Sequence, residues 1–350
     1  MATRGAFGLI RDAKTLDRFQ PPTLFDADLN AYKEWQHFNV FDRRAHLFAL
    51  LNFAVSGNPF DPKTGMCARI AVTRHRGGEI IGGIEPETVE RLHFSYLKPG
   101  IGLPGVSVTF RDNVYRVVCV MEGVRIRADL AFTIAAVPLT TLTKPFGSGF
   151  LGWTVFPRMT VNGTIAVSNR TYRVRNAAGY HDHDWGRFYW GEPVGWNWGI
   201  FMEGRSSGVT LVFDQATSGL GTRPEQSELL VYQGQTLAME FANDDLSVEF
   251  DDEFRDQPLV FPGVMRLTHH RASAPVPKRV KLTGKTNGGG KLQVIFVPEV
   301  VVQLIAPNHL GAGETLLNQV FGRIDIRNSI RGITIFGPLD GYMEFVGPNA

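Results

Sequence analysis

Gly179–Gly186 reads GYHDHDWG and sets four groups able to donate, accept or relay a proton, Tyr180, His181, Asp182 and His183, in consecutive positions. Its glycine-bounded, aromatic flanks predict an extended strand. Side chains of a strand alternate between faces, so Tyr180, Asp182 and Asp184 share one side while His181, His183 and Trp185 share the other. The expected result is one acidic, phenolic face and one basic face.

Hydrogen bonding across a sheet could account for an HxH pair by itself, because buried polar groups are ordinarily satisfied. The surroundings argue for more. Trp153 and Phe156 precede the motif, and Phe188, Tyr189, Trp190, Trp196 and Trp198 follow it. Five of the six tryptophans fall between positions 153 and 198, which is the makeup of an apolar small-molecule site with a few convergent polar groups.

Outward from the motif, short runs rich in Val, Phe, Ile and Thr alternate with Gly, Pro, Asn and Asp. His46–Val55, Cys67–Arg74, Tyr115–Met121, Val124–Val137, Thr164–Val167, Val209–Phe213, Glu228–Tyr232, Leu292–Val297 and Gly341–Val346 read as strands. Regular strands with turn signals between them predict an all-β fold of antiparallel sandwiches or barrels, not βαβ units. The best helix candidate is Asp26–Tyr32, capped by Asp26. A length of 350 residues suggests two domains. The polar stretch Gly204–Gly208 places their boundary between 205 and 206, giving domains 1–205 and 206–350, and Ser218–Ser227 reads as a long loop.

Charge is balanced, 36 Lys and Arg against 34 Asp and Glu, and dispersed, so nothing points to a nucleic-acid partner. The two cysteines, Cys67 and Cys119, lie in apolar strand-like runs and read as buried thiols. No apolar run suits a secretion signal, and none approaches the roughly 18 residues of a membrane-spanning helix. A cytoplasmic protein is expected, with Asn162 and Asn169 as chance glycosylation matches.

Several motifs fail on context. Gly100, Gly102 and Gly105 spell GxGxxG, but Pro104 interrupts it and VSVTF follows instead of a helix. Gly284-Lys285-Thr286 lacks the upstream glycine of a phosphate loop, since Arg279 stands there. His181 and His183 could begin a metal site, but no third ligand is apparent: Glu192 comes too late, and His269, His270 and His309 sit in unrelated contexts. Ser206 and Ser207 follow the aromatic belt without a coupled base. No metal or cofactor is expected. What remains is proton chemistry, with Asp182 as a general acid among aromatic rings and Tyr180 beside it as hydrogen-bond donor.

The run from Trp153 through PRMTVNGTI to GYHDHDWG and Trp196-Asn197-Trp198-Gly199 resembles the carotenoid 1,2-hydratase (hydroxyneurosporene synthase) superfamily. That group includes AttH-like proteins, kievitone hydratase and the fungal decalin-forming Diels–Alderases. Glu34-Trp35-Gln36-His37-Phe38-Asn39 resembles its early E-W-x-x-F segment, and Leu47–Val55 its first long strand. The resemblance implies two packed lipocalin-like β barrels with an aromatic-lined ligand site at or near their interface. It implies catalytic roles for Trp153, Tyr180 and Asp182, and structural ones for His181, His183 and Trp185. Trp196, Trp198, Phe156 and Trp190 are the expected substrate-binding residues.

Two departures stand out. Leu151 occupies the place of a functional His of the hydratases, two residues before Trp153, and Asp184 replaces an Asn. The expected function is acid-catalysed hydration or cyclisation of a C=C bond in a hydrophobic, polyene- or terpenoid-like substrate, which would bring the protein transiently to membranes. The alternatives are a pericyclase or isomerase of a polyene, and a non-catalytic carrier of an apolar ligand. The oligomeric state is not legible.

Overall fold

A computed structural model describes residues 8–9, 15, 17–21, 28–75, 78–204, 208–218, 223–253, 259–260, 276–308, 313–335 and 337–349. The chain divides into two compact units, Met1–Phe188 and Tyr189–Ala350. The division falls before the boundary expected at 205/206. Strand Val194–Glu203 accounts for the difference, since it bonds on both sides to strands of the second unit, Val209–Ser218 and Leu339–Asn349.

As the turn pattern predicts, the fold is all-β. One sheet of 13 described strands and one of 10 form the two units, one a half-barrel and the other a nearly closed barrel. Among the described residues, pairing is antiparallel apart from Leu259–Val260, which runs parallel to Val302–Gln303. No helix among the described residues is long and apolar enough to cross a membrane. Of the expected helix Asp26–Tyr32, the described residues hold a 3-10 turn at Leu29–Ala31, capped by the Asp28 carboxylate, and Asp26 lies outside the described residues. Tyr32 already opens a strand, because the β-favouring run Tyr32–Asp42 takes over there. Most of the expected loop Ser218–Ser227 is also strand, with Ser218 opposite Arg223 and Ser227 opposite Gln215.

The motif lies in Arg170–Arg187, between Gly149–Val167 and Tyr32–Asp42, with Leu47–Ser56 next in the sheet. Only the end of Gly149–Val167 was legible as a run, because Gly152, Pro157 and Gly163 interrupt its sequence. The strand absorbs Pro157, which has no amide hydrogen for the ladder, at a register shift between Phe156 and Met159. Tyr180 lies opposite that bulge.

Alternation then sorts the first unit. Phe38, Phe53, Phe132 and Phe156 fill its core, each at most 0% exposed. His181 projects to this side, its ring stacked on Phe38 at 4.0 Å and on Phe156 at 5.0 Å. A separate core, including Phe201, Phe213, Leu229, Val294 and Phe296, fills the second unit.

Gly179 opens the motif because nothing larger fits. A Cβ there would lie 2.3 Å from Val161 Cγ2 and 3.2 Å from the Asn39 carbonyl oxygen. Gly179→Ala is expected to lower stability by about 1–3 kcal/mol. Chemical denaturation of the single variant and of Gly179→Ala/Val161→Ala checks the cause: removing the Val161 methyls should recover part of the loss.

Candidate active site

Register and pleat put Tyr180 and Asp182 on one face of strand Arg170–Arg187, facing Asn39 and His37 of the neighbouring strand. Trp153 pairs with Asp184, and Val155 with Asp182, so the Trp153 indole reaches Asp182 on the diagonal. Two donors converge on a single oxygen there. Tyr180 O–H donates to Asp182 Oδ2 at 2.7 Å, and Trp153 Nε1–H donates to the same atom at 3.4 Å. Tyr180, Asp182 and Trp153 are all buried. The three residues assigned catalytic roles from the sequence thus meet at one carboxyl.

His181 and His183 face the core. His181 contacts the His37 carbonyl oxygen through Nδ1 at 3.0 Å and Asp17 Oδ2 through Nε2 at 3.2 Å. His183 bridges two acids, Asp17 Oδ1 at 3.3 Å and Glu34 Oε1 at 2.7 Å. Tyr115 O–H donates to Asp17 at 2.5 Å, and Tyr32 O–H donates to Glu34, which also accepts from the Gln20 amide. No group of three or more His, Cys, Asp or Glu among the described residues is disposed to hold a metal ion; His269, His270 and His309 lie outside them, as do Ser206 and Ser207. Trp185 sits on the core side too, 5.4 Å from the His183 ring, over Gly152, whose absent side chain makes the space.

Electrostatics divides this network. Burial alone would push His183 down, but hydrogen bonds and charge from Asp17 and Glu34 hold it up at about 10. Burial raises Glu34 to about 7 against the opposing pull of His183. Asp17 is held below the usual carboxylate range: the charge and hydrogen bonds of the two imidazoles outweigh its burial. The core therefore carries an imidazolium–carboxylate pair, with Glu34 as a proton-sharing third member.

The residues of the expected aromatic belt are divided between the two units and between faces. Phe156 belongs to the core beside His181, not to the Asp182 face. Trp190, Trp196 and Trp198 lie in the second unit, where Trp190 and Trp196 rings are 5.9 Å apart and Trp198 is 5.7 Å from Tyr342. There Trp196 Nε1–H donates to Glu344 at 2.8 Å, and the Gln319 amide donates to the other carboxylate oxygen. Burial raises Glu344, opposed by these two donors.

Sequence reasoning missed Asp17, Glu344 and any role for Glu34, His37 and Asn39. For the last three a signal existed: the alternation rule applied to Lys33–Asn39 puts His37 and Asn39 on one face and Glu34 and Phe38 on the other.

No family model matches the sequence, and comparison with curated proteins finds no match. Solved structures do match. An AttH-like protein of Nitrosomonas europaea superposes with a TM-score of 0.62 at 15% identity, over 94% of this chain and 97% of that one. Kievitone hydratase of Nectria haematococca gives 0.58 at 12% identity, over 96% and 93%. CghA gives 0.60 at 10% identity, over 92% and 89%. The fold is the one shared by these members of the superfamily that the motif resembles.

The pH dependence of stability has a definite sign. A group whose folded pKa is raised stabilises the protein below its unfolded value and loses that contribution as pH climbs through the folded value. For His183 the window runs from 6.5 to about 10, and for Glu34 from 4.5 to about 7. Stability measured by urea unfolding should fall by roughly a few kcal/mol between pH 7 and 10. His183→Asn should be less stable at pH 7 but lose markedly less than wild type over that interval.

Proposed function

We propose that the protein is an enzyme that protonates a C=C bond of a hydrophobic, polyene- or terpenoid-like substrate and then adds water or closes a ring. The observation that carries this reading is the convergence of Tyr180 O–H and Trp153 N–H on Asp182 Oδ2. With both donors on Oδ2, a proton held by the carboxyl sits on Oδ1. Delivery from Oδ1 to an alkene carbon leaves a carbocation on the substrate and a carboxylate on the enzyme. The two neutral donors strengthen as that charge develops, which favours the transition state over the ground state. The Trp153 ring offers a π face to the cation. Water then adds to the cation and returns its surplus proton to Asp182, or an internal double bond adds and a neighbouring C–H gives up the proton instead.

Kievitone hydratase shares the fold, which is compatible with this chemistry. CghA, a Diels–Alderase, shares it too. A pericyclic reading draws specific support from Leu151, a buried apolar residue where the hydratases carry a functional His; such an enzyme would act by holding a polyene in its reactive shape.

Turnover of a panel of polyenes, terpenoid alkenes and enones, followed by mass spectrometry, separates the two. Under acid catalysis Asp182→Asn should lower the rate by about a hundredfold or more, with unfolding curves little changed. Tyr180→Phe and Trp153→Phe should each cost about tenfold or more, as lost hydrogen-bond donors. The rate should fall with rising pH, because only the protonated carboxyl delivers a proton. Full activity in Asp182→Asn would point to the pericyclase.

A further inference from the structure

Asn39 lies directly opposite Tyr180 in the ladder, and His37 opposite Asp182. Residues so paired project to the same face with Cβ atoms about 4.5–5.5 Å apart, so Asn39 and His37 stand beside the proton-donating pair. Asn39 is 0% exposed. Its Oδ1 lies 3.0 Å from His37 Nε2, and its Nδ2 has no hydrogen-bond partner among the described residues. A fully buried amide donor left unmade runs against the general rule for protein interiors.

The orientation of that amide is fixed from behind. Asn52 Nδ2 is 3.4 Å from His37 Nδ1. An amide nitrogen can only donate, so Nδ1 is the acceptor of a neutral imidazole and Nε2 carries the proton. Desolvation lowers His37 to about 3, which keeps it neutral. Nε2–H therefore requires an oxygen from Asn39, and the Asn39 NH2 is turned the other way. The relay Asn52–His37–Asn39 leaves the Asn39 amide donor unmade beside Tyr180 and Asp182, and the Asn52 amide oxygen unmade at its far end.

We propose that Asn39 is a substrate-binding residue whose amide donates to an acceptor oxygen of the substrate, with His37 as its positioning residue. The substrate is then an oxygen-bearing unsaturated molecule, such as a conjugated ketone, and not a pure hydrocarbon. This rests on the reading of the Tyr180–Asp182 face as the reaction site. It adds a second polar anchor, which orients the double bond relative to Asp182.

The test compares trans-chalcone with trans-stilbene, similar aromatic alkenes that differ in one carbonyl group, by tryptophan-fluorescence titration of the full chain. Wild type should bind chalcone about tenfold or more tightly over stilbene. Asn39→Leu should erase that preference while keeping stilbene affinity, and His37→Phe should reduce it. Infrared spectra of chalcone labelled with ¹³C at the carbonyl give a second readout: the C=O stretch should be downshifted in wild type and released in Asn39→Leu. Asp182→Asn should keep the preference, so failure of the acid mechanism is separable from failure of this assignment. Absence of a chalcone preference in wild type, or its survival in Asn39→Leu with an unchanged carbonyl stretch, overturns the proposal.

Discussion

The first unit depends on neutralising charge inside its own core. His183 bridges Asp17 and Glu34 with no exposed atom among the imidazole and the Asp17 carboxylate, at a depth where a lone ion would be driven to give up its charge. Each partner makes the others tolerable: removing one leaves a buried charge without compensation. The neutral donor Tyr115 serves Asp17 Oδ2, and Tyr32 and the Gln20 amide serve Glu34, while Asp17 Oδ1 and His183 Nδ1 meet at 3.3 Å as an ion pair without a hydrogen bond. Fixing strand Tyr32–Asp42 against Arg170–Arg187 through this network also fixes what the opposite face of the same strands presents.

That opposite face has a different electrostatic character. The core side holds charged partners in fixed pairs, whereas on the Asp182 side a phenol and an indole donate to one carboxyl oxygen beside a neutral imidazole. One residue of register separates the two environments, since neighbouring side chains of a strand point apart. The HDHD alternation is thus a single device: histidines lock the sheet from inside while the aspartate between them keeps a protonatable environment of neutral donors outside. A shift of one residue would exchange the two and destroy both.

The fold class was legible because the signals are local: strand runs, Gly and Asn turns, and alternation are written within a few residues of one another. Alternation also placed Tyr180 and Asp182 correctly together and set His181 and His183 apart. What stayed hidden depends on pairings remote in sequence. Asp17 meets His181 across 164 positions, and no pattern around Asp17 announces it. Phe156 looked like part of an aromatic wall by proximity to Trp153, but the pleat turns it inward beside His181. Trp196 and Trp198 cluster with Trp153 in the sequence, yet the strand that carries them hydrogen-bonds within the second sheet. For Phe156, nearness in the sequence is a weaker guide than the face on which it falls.

The span between Asp17 and its histidines carries a consequence for how the chain matures on the ribosome. At about 5–20 residues per second, the histidine strand is made roughly ten to thirty seconds after Asp17. Until it arrives, Asp17 and Glu34 are carboxylates with no imidazolium to meet, and the early strands Tyr32–Asp42 and Leu47–Ser56 have an open edge where Arg170–Arg187 belongs. The nascent first unit is therefore held as an unfinished sheet whose acids remain hydrated, and its core seals late, when the histidine strand slots into the centre of the sheet.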